Sequence, residues 1–421
     1  MELFESNYWK LTVFLQKLIG LYYFQSLWKN IVAWIYVYTF TLSFIIAIGV
    51  RLYQEIGIDI NIVTENLVAE MYLIIVFAKL TTSVVYMKDL KRLYKSIAND
   101  WRVMSDEKEL KVMHEYTDIG RKSVQLYSGI VPMILSGVDA LMMLVSKKLK
   151  IIPTRAGYMI IGIAIFLSLP ISAPLWDYIV PLENATRPNA LPYYAEYGVD
   201  QEKYYFPLMG QAVFGGIGTG MLLVTFDLGF ILTVQHVVAL FALVCYRLDQ
   251  AANLSLSVER GKIDFIKADR SAYEYTVKAI NLHQTVLGYV DLVENCYNAG
   301  WLVVLFMNML LCGGGLAVLL MKTDRPEELL RYFTVLFAGF IHFYYIFLPG
   351  QKIINSSLEV FDKCYASRWY NLSEKSKSLI KIMMIRSLRR CELTGGKMFI
   401  LCMDTYCNMM KTGLSVFTVL R

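Results

Sequence analysis

The sequence predicts an all-α membrane protein of seven transmembrane helices, with a cytosolic N-terminus and an extracellular C-terminus. Three observations carry that fold class. Hydrophobic residues fill 56% of the 421 positions and charged residues only 18%, with a mean hydropathy of +0.45, which is a membrane composition. Weakly charged runs reach the roughly 20 residues that cross a bilayer of about 30 Å. Lys and Arg also gather in alternate loops, the asymmetry that sets orientation.

Taken in order, the spans lie at about 31–50, 67–87, 157–175 together with 124–128, 205–246, 284–320, 332–350 and 397–420. The first is the cleanest, with no charge in 20 positions. The stretch ahead of it (MELFESNYWK) is polar and of mixed charge, unlike a cleaved signal peptide. The fourth run is too long for one straight crossing at about 1.5 Å per residue, yet too short for a comfortable pair. It reads as one helix that projects from the bilayer, despite the GGIGTG cluster at 215–220. The fifth reads the same way, because its polar start (HQTVLGYVDLVEN) lies outside hydrocarbon.

Orientation follows from the loops. Segments 1–30, 88–123, 247–283 and 352–397 carry three, nine, six and ten Lys/Arg, whereas 51–66, 176–204 and 321–331 carry one, two and three. The basic set is expected inside. Of four Asn-x-Ser/Thr sequons, Asn184 falls in the second outer loop and is the expected glycosylation site. Those at Asn253, Asn355 and Asn371 fall in cytosolic segments and should be silent. All seven cysteines lie in spans or cytosolic segments, which leaves no outer-loop disulfide. No Cys-x-x-Cys or His-rich spacing is present, so no metal is expected.

Region 124–180 holds two apolar runs, separated by Ser146, Lys147, Lys148, Leu149, Lys150 and Arg155. Counting both as spans gives eight crossings and breaks the charge alternation. Removing 129–156 joins RKSVQLYS to GYMIIGIAIFLSLPIS, one helix of ordinary length. An insertion at 129–156, of the kind an unspliced intron leaves, is the reading adopted; an interfacial hairpin competes with it.

The tail from Gly395 to Arg421 reads as an apolar helix marked at every seventh position by Lys397, Asp404, Lys411 and Thr418. Seven residues are nearly two turns, so these side chains share a narrow stripe. Charge facing lipid is costly, so the stripe faces protein or water. A buried seam and a water-lined pathway both fit. Elsewhere, Lys79 near the inner end of span two is expected to snorkel. Asp227 and His342 are expected to be hydrogen-bonded in the core, although a proton-coupled transporter would use similar residues.

The C-terminal third also resembles the insect odorant receptors. The carrying residues are Phe361-Asp362-Lys363 and Trp369-Tyr370 ahead of SEKSKSLIKIMMIRSLRR, then Leu393-Thr394-Gly395-Gly396-Lys397 and the closing Met410-Lys411-Thr412-Gly413-Leu414-Ser415-Val416-Phe417-Thr418-Val419-Leu420-Arg421. Arg187-Pro188-Asn189-Ala190-Leu191-Pro192-Tyr193 resembles that family's RPLPYP-type outer loop, with Asn189-Ala190 interposed. The likeness runs along the whole chain apart from 129–156. Related gustatory receptors share the fold but end in a Tyr…Gln-Phe pattern, which Phe417-Thr418-Val419-Leu420-Arg421 lacks.

The resemblance implies a tetrameric, odorant-gated, nonselective cation channel in the plasma membrane of sensory neurons, built with the olfactory co-receptor subunit. The last helix would line the pore, with Thr412 and Val416 at helical spacing and Val419 at the family's gate position. The cytosolic helix ends and the amphipathic helix 373–390 would form an anchor, in which Leu379, Ile382, Met383 and Ile385 need a partner surface. Small volatile ligands would bind in the outer half of the bundle. Matching depth selects Tyr72, Ile75, Phe166, Leu169, Phe206, Met209, Val213, Phe333 and Phe337, in keeping with an apolar pocket that has few polar anchors.

Other classes fit less well. A G-protein-coupled receptor predicts the opposite orientation, and neither Asp-Arg-Tyr after span three nor Asn-Pro-x-x-Tyr in span seven is present. A secondary transporter predicts internal repeats and broken helices, and only GGIGTG hints at one. No Ser-His-Asp grouping, carboxylate pair or phosphate loop supports an enzyme. No cofactor and no nucleic-acid partner are expected.

Overall fold

Long uninterrupted apolar runs dictate long helices, and the chain builds its bundle from them. The computed structural model describes residues 2–135, 191, 193–259, 265–321, 326–367 and 369–420. Short helices α1 (Glu2–Glu5) and α2 (Lys10–Ile19) lead into α3 (Leu27–Glu55) and α4 (Ile60–Val85). Next come α5 (Met87–Val103) and α6 (Glu107–Leu135). The trunk is α7 (Tyr205–Glu259), α8 (Phe265–Met321) and α9 (Pro326–Ala366). Helix α10 (Glu374–Ser387), a hairpin of β1 (Thr394–Gly395) and β2 (Phe399–Ile400), and α11 (Met403–Leu420) complete the described chain.

Among the described helices, Leu27–Glu55, Ile60–Val85, Tyr205–Leu254 and Asp269–Leu316 are long and apolar enough to cross a membrane. Helices α7 and α8 run unbroken for 55 and 57 residues. At about 1.5 Å per residue each exceeds 80 Å, far beyond a hydrocarbon layer of about 30 Å. Both helices are therefore far longer than one crossing requires. Helix α7 is the hub, packing against α2, α3, α4, α6, α8 and α9.

The GGIGTG cluster does not break α7. A Cβ on Gly215 would lie 2.4 Å from the Phe44 ring, and one on Gly218 would lie 2.7 Å from the Tyr36 ring. The glycines admit the aromatic face of α3 onto α7. Tyr36 then donates its hydroxyl to the Phe214 carbonyl.

Most of the insertion expected at 129–156 lies outside the described residues, although α6 continues as helix through Gly129 to Leu135. One expectation near the C-terminus needs correction. The last helix begins at Met403, and Lys397 lies in the hairpin turn, off the helical stripe. Gly396 (φ +65°) and Lys397 (φ +56°) both take left-handed backbone, and the Met398 N–H donates to the Gly395 carbonyl at 3.2 Å. Positive φ at both central residues is the type I′ geometry of a tight turn, and the strand register then pairs Gly395 with Phe399. On α10, Ile380 and Met383 are buried with Ser376 and Ser387, while Ile382 and Ile385 are exposed. Helices α8 and α9 pack on α10 and leave those two isoleucines open.

Candidate functional site

Helices α4, α6, α7 and α9 meet at a buried charge network. Lys79 on α4 is fully enclosed, and its Nζ lies 2.6 Å from Asp227 Oδ1 on α7. It also lies 2.9 Å from His342 Nε2 on α9. Tyr127 on α6 donates its hydroxyl to Asp227 Oδ2. His342 Nδ1 approaches Asn308 Oδ1 on α8 at 3.3 Å. The Phe226 and Trp301 rings flank the ammonium, with centroids 5.5 and 5.8 Å away. One cation and one anion make the set neutral when the imidazole is uncharged, which is the arrangement a water-poor interior tolerates.

This corrects the snorkelling expected of Lys79. The side chain has a carboxylate partner within reach and is held among aromatic rings, so it does not extend to water. Asp227 and His342 are hydrogen-bonded core residues, as expected. Their convergence on Lys79 was missed, although three ionisable residues near the same depth of three apolar runs are a legible signal.

The terminal helix is the second component. Its first N–H, on Met403, donates to Gln351 Oε1 at 3.0 Å, which supplies one partner to an otherwise open helix end. The hairpin that precedes it is tied to α8. Glu294 accepts from the Thr394 N–H at 2.7 Å, and the Gly396 N–H donates to the Asn298 carbonyl at 3.1 Å. A Cβ on Gly395 would lie 2.7 Å from Leu305 Cδ1, so the Leu393-Thr394-Gly395-Gly396-Lys397 motif is a docking element.

On α11, Asp404, Cys407, Asn408, Lys411, Thr412 and Ser415 are all exposed, whereas Met409 and Gly413 are buried. Helix α11 thus turns a polar face away from its own subunit. Asp404 and Lys411 keep their places on the stripe, and neither is ion-paired among the described residues. The backbone is helical through Val416 and Val419, whose side chains lie outside the described set.

Mechanically, the two components are neighbours. His342 shares α9 with Phe343 and Phe347, whose ring centroids lie 5.9 and 5.8 Å from that of Tyr406 on α11.

The residues expected to bind ligand are dispersed over several environments. Met209 is buried with Tyr205 and Ala212, packed by Leu191, Tyr193 and Val213. Ile75 is in the main core, with Tyr72 against it. Phe333 and Phe337 are exposed on α9 with stacked rings, and Phe206 is 83% exposed. Phe166, Leu169 and Asn184 lie outside the described residues.

The C-terminal half of α7 and the N-terminal half of α8 are laced by polar contacts. Arg247 makes a two-pronged bond to Glu109 at 2.7 and 2.8 Å and donates to the Lys278 carbonyl at 3.0 Å. Asp100 accepts from Tyr289 at 2.6 Å and lies 3.0 Å from His236. Lys363 pairs with Asp249 at 3.2 Å, which holds its ammonium above the usual range.

A multi-pass helical membrane protein with overlong trunk helices and an outward polar face on its terminal helix is the class these features define. The family model described as 7tm Odorant receptor matches residues 59–413, and the chain belongs to that family. It is 24% identical over 252 residues to Odorant receptor 63a of Drosophila melanogaster, covering 58% of this chain and 55% of that one. Identity to the Odorant receptor coreceptor of Drosophila melanogaster is also 24%, over 157 residues, 36% of this chain and 30% of that one. The chain therefore matches about half or less of the length of these relatives. Among solved structures, it is similar to the insect olfactory receptor OR5 from Machilis hrabei in complex with eugenol. That likeness has a TM-score of 0.70 at 12% identity and covers 98% of this chain and 96% of that one.

Proposed function

We propose that this protein is an odorant receptor subunit that binds small volatile ligands and gates a nonselective cation channel together with the olfactory co-receptor. The observation that carries the reading is the polar face of α11, exposed from Asp404 to Ser415. Four copies facing one axis would put that face on water, which satisfies side chains that lipid would penalise. Kinship with the coreceptor family supports the assembly, and a solved relative in complex with eugenol supports the ligand class.

In this mechanism the seven spans run with the N-terminus inside. Ligand binds among the outer halves of the helices carrying Tyr72, Ile75, Phe166, Leu169, Phe206, Met209, Val213, Phe333 and Phe337. Binding energy differs between closed and open arrangements, and that difference shifts the equilibrium. Motion of α9 reaches α11 through Phe343, Phe347 and Tyr406. Val419, with Thr412 and Val416 below it, forms an apolar ring that closes by dewetting and opens when the helices splay. The protein resides in the plasma membrane of sensory neurons.

The experiment is co-expression with the co-receptor and recording from excised patches without GTP. Odorant-evoked current that persists supports a ligand-gated channel; current that requires GTP overturns it.

A further inference from the structure

We propose that the N-terminal helix α2 and the start of α3 form a binding site for anionic phospholipid at one face of the bilayer. Helix α2 packs against α3 and α7 and is pinned to a definite point along α7. Gln16 Nε2 donates to Tyr94 at 2.9 Å, and a Cβ on Gly229 of α7 would lie 3.0 Å from both groups. Elsewhere along α7, Tyr36 of α3 meets the Phe214 carbonyl. The 15 residues between Phe214 and Gly229 place α2 about 20 Å further along α7. An apolar span that starts at Tyr205 leaves hydrocarbon after roughly 20 residues, so α2 sits at the headgroup boundary.

One face of α2 is buried through Val13, Leu15, Gln16 and Ile19. The other presents Phe14 (56% exposed) and Leu18, continued by Trp28 (71% exposed) at the start of α3. Val32 and Ile35, one and two turns beyond Trp28 on α3, are exposed as well, at positions that share its helical face. Lys10, Lys17 and Lys29 are exposed along this apolar strip, and none is ion-paired among the described residues. An amphipathic helix with apolar rings below and ammonium groups beside them has the chemistry of an interfacial anchor for acidic headgroups. Helices α2 and α3 pack on α4 and α7, whereas the terminal helix packs on α8 and α9. The lipid strip is thus remote from the polar face assigned to the pore. Under the orientation proposed above, the occupied leaflet is the cytosolic one.

The test uses the full chain in symmetric bilayers, where orientation and channel activity do not enter. Trp28 fluorescence, obtained as the difference between wild type and Trp28→Phe, is quenched by brominated phosphatidylserine or brominated phosphatidylcholine over a range of mole fractions. The expected result is quenching by both lipids with a clear preference for phosphatidylserine. Each basic residue near a membrane surface contributes about fivefold toward anionic lipid. The triple variant Lys10→Gln/Lys17→Gln/Lys29→Gln should therefore reduce the preference by about a hundredfold or abolish it. Triple Arg substitution should preserve it. Equal quenching by the two lipids, or a preference that survives triple Gln substitution, overturns the proposal. Quenching by neither overturns it as well, because a second copy of the chain then covers the strip.

Discussion

Lys79 Nζ and Asp227 Oδ1 sit 2.6 Å apart, 148 residues apart in sequence, with almost no exposure on either side chain. Removing one partner strands the other charge in a place that water does not reach. Lys79→Met or Asp227→Asn alone should each destabilise the bundle by about 3–5 kcal/mol, while a joint apolar replacement should recover much of the loss. Thermal unfolding in detergent, followed by size-exclusion chromatography, reads both. A double variant destabilised by the sum of the two single losses would mean that the pair is not the coupled unit.

Substituting Val419 should alter the channel, whereas Met209→Ala or Phe166→Ala should alter odorant ranking. Val419→Ala loosens the apolar ring and raises basal current or shifts ion preference. Each pocket truncation removes apolar contact worth roughly 1–3 kcal/mol, about tenfold or more in apparent affinity. Dose–response series over odorants of several shapes separate the two classes. Pocket variants that shift every odorant by one factor would be acting on gating or assembly.

A methyl group on Gly215 should cost stability, since its Cβ would lie 2.4 Å from the Phe44 ring. Gly215→Ala is expected to destabilise by about 1–3 kcal/mol through forced displacement of α3. Adding Phe44→Leu should restore part of the unfolding temperature. Gly220→Ala, with open space around its Cβ, is the matched control.

Acid should loosen the trunk beyond the membrane. His283 on α8 is buried beside Phe241, and that burial, with Arg386 nearby, pushes its imidazole down from an ordinary 6.5 to about 4. The folded chain holds it neutral while the unfolded chain takes a proton near pH 6.5. Its contribution is therefore complete above about pH 6.5 and is lost as pH falls toward 4. Unfolding midpoints measured across that window should fall more steeply for wild type than for His283→Gln. Parallel profiles would assign the acid sensitivity to other groups.

Topology has a direct readout. A tag at the N-terminus should stay unlabelled in intact cells, one at the C-terminus should label, and only Asn184→Gln should remove glycan. Deleting 129–156 should preserve or improve surface expression, because the flanks then join as one third helix. Surface labelling of the N-terminal tag reverses the orientation, and loss of assembly on deletion makes 129–156 part of the fold.

Hydropathy alone determined the broad design. Apolar runs longer than a bilayer is thick cannot end inside lipid without stranding backbone groups, so the overlong α7 and α8 were legible before any contact was known. The order of soft motifs from Phe361 to Leu420 likewise carried the family. The polar marks Asp404 and Lys411 pointed to a special face on the terminal helix, because helical periodicity is a local property. Tertiary structure alone decided which charges meet. Lys79, Asp227 and His342 are each ambiguous in isolation; packing of α4, α7 and α9 at one depth made them a neutral unit. It also decided that Gly395 and Gly396 belong to a hairpin seated on α8, where a side chain would collide with Leu302 and Leu305. Similarly, the open face of α10 follows from which surface the trunk covers. Those outcomes depend on contacts between residues far apart in sequence, which local pattern does not encode.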